Sequence, residues 1–181
     1  ALMNLKFDQI LLDRPVLNVR RDAQGHIWLA GLDVSSGQNE PDARLLDRVF
    51  SQPEFVIRDG TVVWSDEMRT VAPLELHAVN VVLRNRSRLH EFRVDGTPAL
   101  DWGDRFTTMA RFEQPFLSID NGRWKDWNGQ VFVDLSRIDV AQLKQYADPG
   151  VDVEQARGAV RAWIDVQRGK LVGATADVAL A

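Results

Sequence analysis

The sequence predicts a mainly β protein: a large, curved, antiparallel meander sheet, an open groove or sandwich-like, with two short flanking helices. Three observations lead there. Apolar residues recur at every second position through most of the chain, the period of a strand. Clusters of Gly, Asn, Asp and Pro separate these runs as turns do. The regular strand–helix alternation that parallel sheets need is absent. The runs amount to about ten strands, several of them longer than the usual five or six residues.

Leu5 to Leu12 and Val16 to Arg20 read as extended, with Pro15 at a strand start, where its missing N–H does least harm. Asp22 to Gly25 supply a turn, after which Ile27, Leu29 and Gly31-Leu32 resume alternation around Trp28. Gly37 to Asn39 break the pattern. Glu40, Pro41 and Asp42 then open a helix over 40–51, with Leu45, Leu46, Val49 and Phe50 at helical spacing and Pro53 marking its end. Its early acidic residues and later Arg44 and Arg48 agree with the helix dipole.

Residues 54–66 read as the central hairpin. Asp59-Gly60 sits between two runs of β-branched and aromatic residues, the short-range pattern of a tight type I′ turn. Leu74 to Asn85 alternates and then shifts phase near Val81-Val82, as a long strand with a bulge would. His90, Phe92 and Val94 share one face of the next strand, and Phe106, Thr108, Ala110 and Phe112 one face of the strand after it. Beyond the Asp120-Asn121-Gly122 turn, Trp124, Trp127 and Gly129 lead into a strand at Val131 to Leu135. A second helix is expected over 139–147, ending before Asp148-Pro149-Gly150. Two strands, Arg157 to Gln167 and Leu171 to Leu180, close the chain around a turn at Gly169.

With 181 residues, 45% of them hydrophobic and 27% charged, the composition is that of one ordinary globular unit. A net charge of -4 supplies no basic field for nucleic acid. There is no cysteine, hence no disulfide and no thiolate metal site. No apolar run approaches the roughly 20 residues that span a bilayer. The chain opens on Ala1 and closes in the strand-like VGATADVALA, so it reads as a segment of a longer protein whose sheet edges continue into neighbouring segments.

Catalytic patterns are missing. His26, His77 and His90 do not pair at helical spacing with a second metal ligand, no Gly-x-Ser-x-Gly elbow occurs, and no Gly-rich loop ends in Lys-Ser or Lys-Thr. Asp152 and Glu154 lack the loop of a calcium site. Arg84, Arg86, Arg88 and Arg93 read as a charged turn that guards against edge pairing. No catalytic residue, metal or cofactor is assigned, and the segment is read as non-enzymatic.

Two short helices cover only part of so large a sheet, so the rest of its apolar face needs the sheet folded on itself or a ligand from outside. The alternation assigns Ile57, Val62, Trp64, Leu74, Leu76, Phe92, Val94, Phe106, Ala110, Phe112, Val131 and Val133 to that face. Periodicity alone does not separate a sealed core from an open trough. Trp64, Trp127 and Trp163 have a sufficient structural reason in the apolar area an indole buries.

Ile57-x-Asp59-Gly60-x-Val62-x-Trp64-x-Asp66, then Trp127-x-Gly129-x-Val131-Phe132-Val133, then Arg157-Gly158-x-x-Arg161-x-Trp163 resemble the N-terminal periplasmic region of the YhdP proteins, of the AsmA-like group. The stretch Gly25-x-Ile27-x-Leu29-x-Gly31-Leu32 fits the same pattern. The resemblance implies a large Gram-negative envelope protein, anchored in the inner membrane by an N-terminal helix, with a long β-groove crossing the periplasm. It also implies phospholipid transport to the outer membrane and upkeep of that membrane's barrier, with acyl chains in the groove. This chain carries neither the anchor nor most of the groove's length, so membrane contact belongs to other parts of such a protein. The alternative from another class is a structural or interaction β domain that touches no lipid.

Overall fold

The computed structural model describes residues 8–35, 40–98, 102–116, 123–139, 142, 145 and 157–180. Eleven strands form one mixed sheet: β1 (Ile10–Asp13), β2 (Val16–Arg21), β3 (Ile27–Leu29), β4 (Leu32–Asp33), β5 (Glu54–Asp66), β6 (Leu74–Arg86), β7 (Leu89–Pro98), β8 (Phe106–Glu113), β9 (Asn128–Asp139), β10 (Arg157–Gln167) and β11 (Lys170–Leu180). The order across the sheet is β11-β10-β9-β8-β7-β6-β5-β2-β3-β4, so it does not close on itself. From β5 to β11 every neighbouring pair is antiparallel, as the meander reading expects.

The N-terminal strands depart from that reading. β1 and β2 both run parallel to β5, one beside each half of it. Parallel neighbours need a crossover connection, and helix α1 (Glu40–Phe50) lies within the connection from β4 to β5. That helix matches the expected 40–51 to within a residue. It is the one α-helix described along its whole length, where two were expected. Asp139, where the second was expected to start, is instead the last residue of β9; Gln142 and Gln145 are helical, and the rest of 140–147 lies outside the described residues, as do Asp152, Glu154 and the Asp120-Asn121-Gly122 turn.

The central hairpin is a correction. Residues 54–66 are a single strand, β5. Asp59 does take the left-handed conformation a type I′ turn asks for, with φ of 50°, but Gly60 does not, so the chain re-enters the ladder instead of reversing. The result is a bulge: the register with β6 shifts on both sides of Gly60, and the Asp59 N–H donates to the Asn80 side-chain oxygen at 3.0 Å. True two-residue reversals occur at Ala30-Gly31 and Arg168-Gly169, where both residues have positive φ.

The bulge has partners on each side. Ala78 of β6 also sits at positive φ, 48°, and the β6–β7 register breaks between His77 and Asn80. Across β5, Arg14 with φ of 50° separates β1 from β2. Its N–H donates to the Arg58 carbonyl at 2.8 Å, and the Pro15 carbonyl accepts from Thr61 at 2.9 Å. One crease therefore crosses the sheet through Arg14-Pro15, Asp59-Gly60 and Ala78-Val79.

Candidate functional site: a continuous apolar sheet face

Residues opposite one another on adjacent strands point to the same side of a sheet. Followed across the ladder, they form apolar rows. One runs Phe55, Leu83, Phe92, Ala110, Val131, Ile164; the next runs Ile57, Val81, Val94, Thr108, Val133, Ala162. A third joins Gly96, Phe106, Leu135 and Val160. Beyond the crease, Leu17, Val62, Leu76 and Pro98 make a fourth, and Val19, Trp64 and Leu74 a fifth.

The crease keeps these rows on one side. Apolar positions are odd before Asp59, at Phe55 and Ile57, and even after it, at Val62 and Trp64. One extra residue restores the phase, since a one-residue slip moves every following side chain to the opposite face. β6 carries the matching change, even at Leu74 and Leu76 and odd from Val79 onward.

All twelve residues assigned from alternation fall on this face: Ile57, Val62, Trp64, Leu74, Leu76, Phe92, Val94, Phe106, Ala110, Phe112, Val131 and Val133. Ile57 is buried and the others are half-buried. Sequence reasoning left out Phe55, Val79, Val81, Leu83, Leu135 and the β10 residues Val160, Ala162 and Ile164, although the alternation of β10 marks the last three plainly.

The opposite face is charged. Arg84 pairs with Glu54 at 2.7 Å, Arg93 holds Asp95 through two bonds of 2.8 and 3.0 Å, and Arg161 meets Asp134 at 3.6 Å. Arg93 keeps the Asp95 carboxyl below its ordinary range, with Thr107 adding a 2.6 Å bond. Exposed pairs of this kind contribute little stability, but they mark a surface built for water. The arginines of the 84–93 stretch divide: Arg84 and Arg93 belong to this face, while Arg88 lies over the Phe116 ring at 5.3 Å. One rung of the charged face is apolar apart from Arg93, running Val82, Arg93, Met109, Phe132 and Trp163, and lines an open depression of about 430 Å³. Trp163 is thus no core residue; it is 44% exposed there.

Helix α1 covers one end of the apolar face. Phe50, in its last turn, sets its ring edge-on to Trp127 at 5.0 Å, to His90 at 5.9 Å and to Phe92 at 6.1 Å. His90 and Trp127 stack flat, 3.9 Å apart, and both are fully buried. Asn85 ties the end of the helix down, donating to the Gln52 carbonyl at 2.7 Å and to the Val49 carbonyl at 3.4 Å. Phe112 lies over Gly129, where an added Cβ would come within 2.1 Å of the Arg111 carbonyl oxygen. His90 is therefore part of a packed aromatic cluster on β7. No metal-ligating cluster occurs among the described residues, and none of their helices is long and apolar enough to cross a membrane.

At the far corner of the same face the Asp66 carboxylate, buried, takes two bonds from Arg21 and lies 3.8 Å from Arg69. The Arg21 bonds hold it below the ordinary carboxylate range. This cluster fixes the end of β2 to the end of β5.

The class is that of an unclosed β sheet with one apolar and one solvated face. The chain belongs to the YhdP family: the family model described as YhdP protein matches residues 1–181, the whole chain. Comparisons with curated proteins and with solved structures gave no match.

Proposed function

We propose that this segment holds phospholipid acyl chains against its apolar face, as part of an AsmA-like envelope protein whose full length conducts phospholipid between inner and outer membrane. Family membership supports the envelope assignment. The observation that carries the lipid reading is the pair of unlike faces: five apolar rows on one side of an unclosed sheet, with α1 over one end. An acyl chain of some sixteen carbons costs on the order of 12 kcal/mol to expose to water, at about 0.8 kcal/mol per CH₂. A continuous apolar surface that admits it removes that cost. The segment acts by contact alone, with no catalytic step, and works in the periplasm with its membrane anchor elsewhere in the protein.

The test is native mass spectrometry of the chain purified from a Gram-negative periplasm, followed by lipid extraction. Bound phospholipid is expected. It should be lost in Ala110→Asp and Val133→Asp, on the apolar face, and kept in Trp163→Ser, on the charged face. A lipid-free mass for the folded, unaltered chain refutes the proposal. A second reading, a structural domain that pairs with a neighbouring segment or a partner, draws on β11. This eleven-residue edge strand exposes Leu171, Val172 and Val178, and such an edge is a template for further pairing.

A further inference from the structure

His90 has a fixed tautomer. The Asn85 Nδ2 group faces the Gln52 and Val49 carbonyls, which only accept, so its Oδ1 is turned to His90. The 2.7 Å contact between them therefore places a hydrogen on His90 Nδ1. Nε2 is left as the bare nitrogen, and it has no hydrogen-bond partner; it and the Trp127 indole nitrogen are the two such buried side-chain atoms among the described residues. A proton arriving at Nε2 would put a charge between two aromatic rings with no carboxylate to offset it.

We propose that α1 is a lid over one end of the apolar face, latched by neutral His90 and released when that ring takes up a proton. The latch is a chain of contacts: Trp127 under the ring, Phe50 on its edge, and Asn85 joining its Nδ1–H to the carbonyls at the helix end. No charge offsets protonation. The charged residues of the elements packed around the ring include Arg44, Asp47 and Arg48 of α1, Arg84 and Arg86 of β6, Arg88 of the β6–β7 turn, Glu91, Arg93 and Asp95 of β7, Arg111 and Glu113 of β8, and Lys125 and Asp126 beside Trp127. None of them forms an ion pair with it, and those on β6, β7 and β8 lie on the opposite face by register. Burial pushes the imidazole below its ordinary value, opposed only in part by the Gln114 side chain. With α1 released, Phe92, Phe112 and Trp127 would join the open part of the rows. The lid follows from packing alone and holds whatever the face binds.

A lowered folded-state value means that the undocked state binds the proton more readily. Docking is then strongest above the ordinary histidine value near 6.5 and weakens as pH falls below it. Hydrogen exchange of α1 amides, corrected for intrinsic rates, reads the opening directly. Between pH 7.5 and 5.5 the opening constant should rise by up to about tenfold, the limit for one proton, while β10 and β11 stay flat. His90→Phe keeps an aromatic ring and removes the titration, so its α1 opening should not change with pH. An equal rise in His90→Phe, or no rise in the unaltered chain, overturns the proposal. Imidazole nitrogen NMR of the unaltered chain decides it even if the variant fails to fold. A ring protonated on Nδ1 alone and titrating below 6.5 supports the latch, and one titrating at 6.5 or above sinks it.

Discussion

Replacing Asn85 by alanine tests what holds α1 on the sheet. The side chain accepts from His90 at 2.7 Å and donates to Gln52 at 2.7 Å, with a weaker contact to Val49 at 3.4 Å. Losing two sound bonds removes about 1 kcal/mol each, and the stranded His90 Nδ1–H, at zero exposure, adds a further ~1–3 kcal/mol. The sum is about 3–5 kcal/mol, a large share of the roughly 5–15 kcal/mol that holds a domain together. In urea, with a slope near 2 kcal/mol per molar, the unfolding midpoint should fall by about 1.5–2.5 M at unchanged slope. Tryptophan fluorescence reports the transition. Asn80→Ala sets the scale, because its bonds to Asp59 and Ala78 are 3.0 and 3.3 Å long and partly solvated, so its loss should cost at most about 1 kcal/mol. Equal midpoint shifts for the two variants would refute the reasoning and make Asn85 an ordinary surface amide.

Gly129→Ala should destabilise by about 2 kcal/mol or more, because its Cβ meets backbone of the adjacent strand and the Phe112 ring, neither of which gives way; thermal unfolding measures it. Stability should decline as pH drops from about 4, where ordinary carboxylates titrate, through the lower folded value that Arg21 imposes on Asp66. The unfolded chain takes up that proton first, so the contribution is present above this window and lost within it. Asp66→Asn should flatten the acid limb of a stability–pH curve. Phe92→Ala should cost about 3 kcal/mol and Trp163→Ala about 1 kcal/mol, since the first packs beneath Phe50 and the second stands half in water; chemical denaturation of both variants checks the order.

The apolar face was legible because alternation is a local property of each strand. Phe92-Val94, Phe106-Ala110-Phe112 and Val131-Val133 each declare their side without reference to a neighbour. The hairpin error arose at the one place where local chemistry has two solutions. An Asp at positive φ followed by Gly serves a reversal or a bulge, and the outcome depends on whether a partner strand such as β6 supplies Asn80 to take the stray N–H. The parallel placement of β1 and β2 beside β5 involves residues more than forty positions apart, and nothing in either segment announces it. His90 shares the alternation of Phe92 and Val94; its burial is decided by where α1 lands. Trp163 was misjudged because aromatic content signals burial on average, while β10 turns this indole toward the charged side.

The crease through β5 and β6 constrains how such a chain can vary in length. Each strand carries its own extra residue, and the two sit opposite one another, with Gly60 facing Val79. Removing a residue from one strand alone would turn its distal half inside out, exchanging Val62 and Trp64 for Thr61, Val63 and Ser65 on the apolar side. Insertions and deletions are therefore tolerable at hairpin tips, or as matched pairs across the crease, and not singly within it. The two bulges behave as one inherited unit, and natural variants of this chain should gain or lose them together.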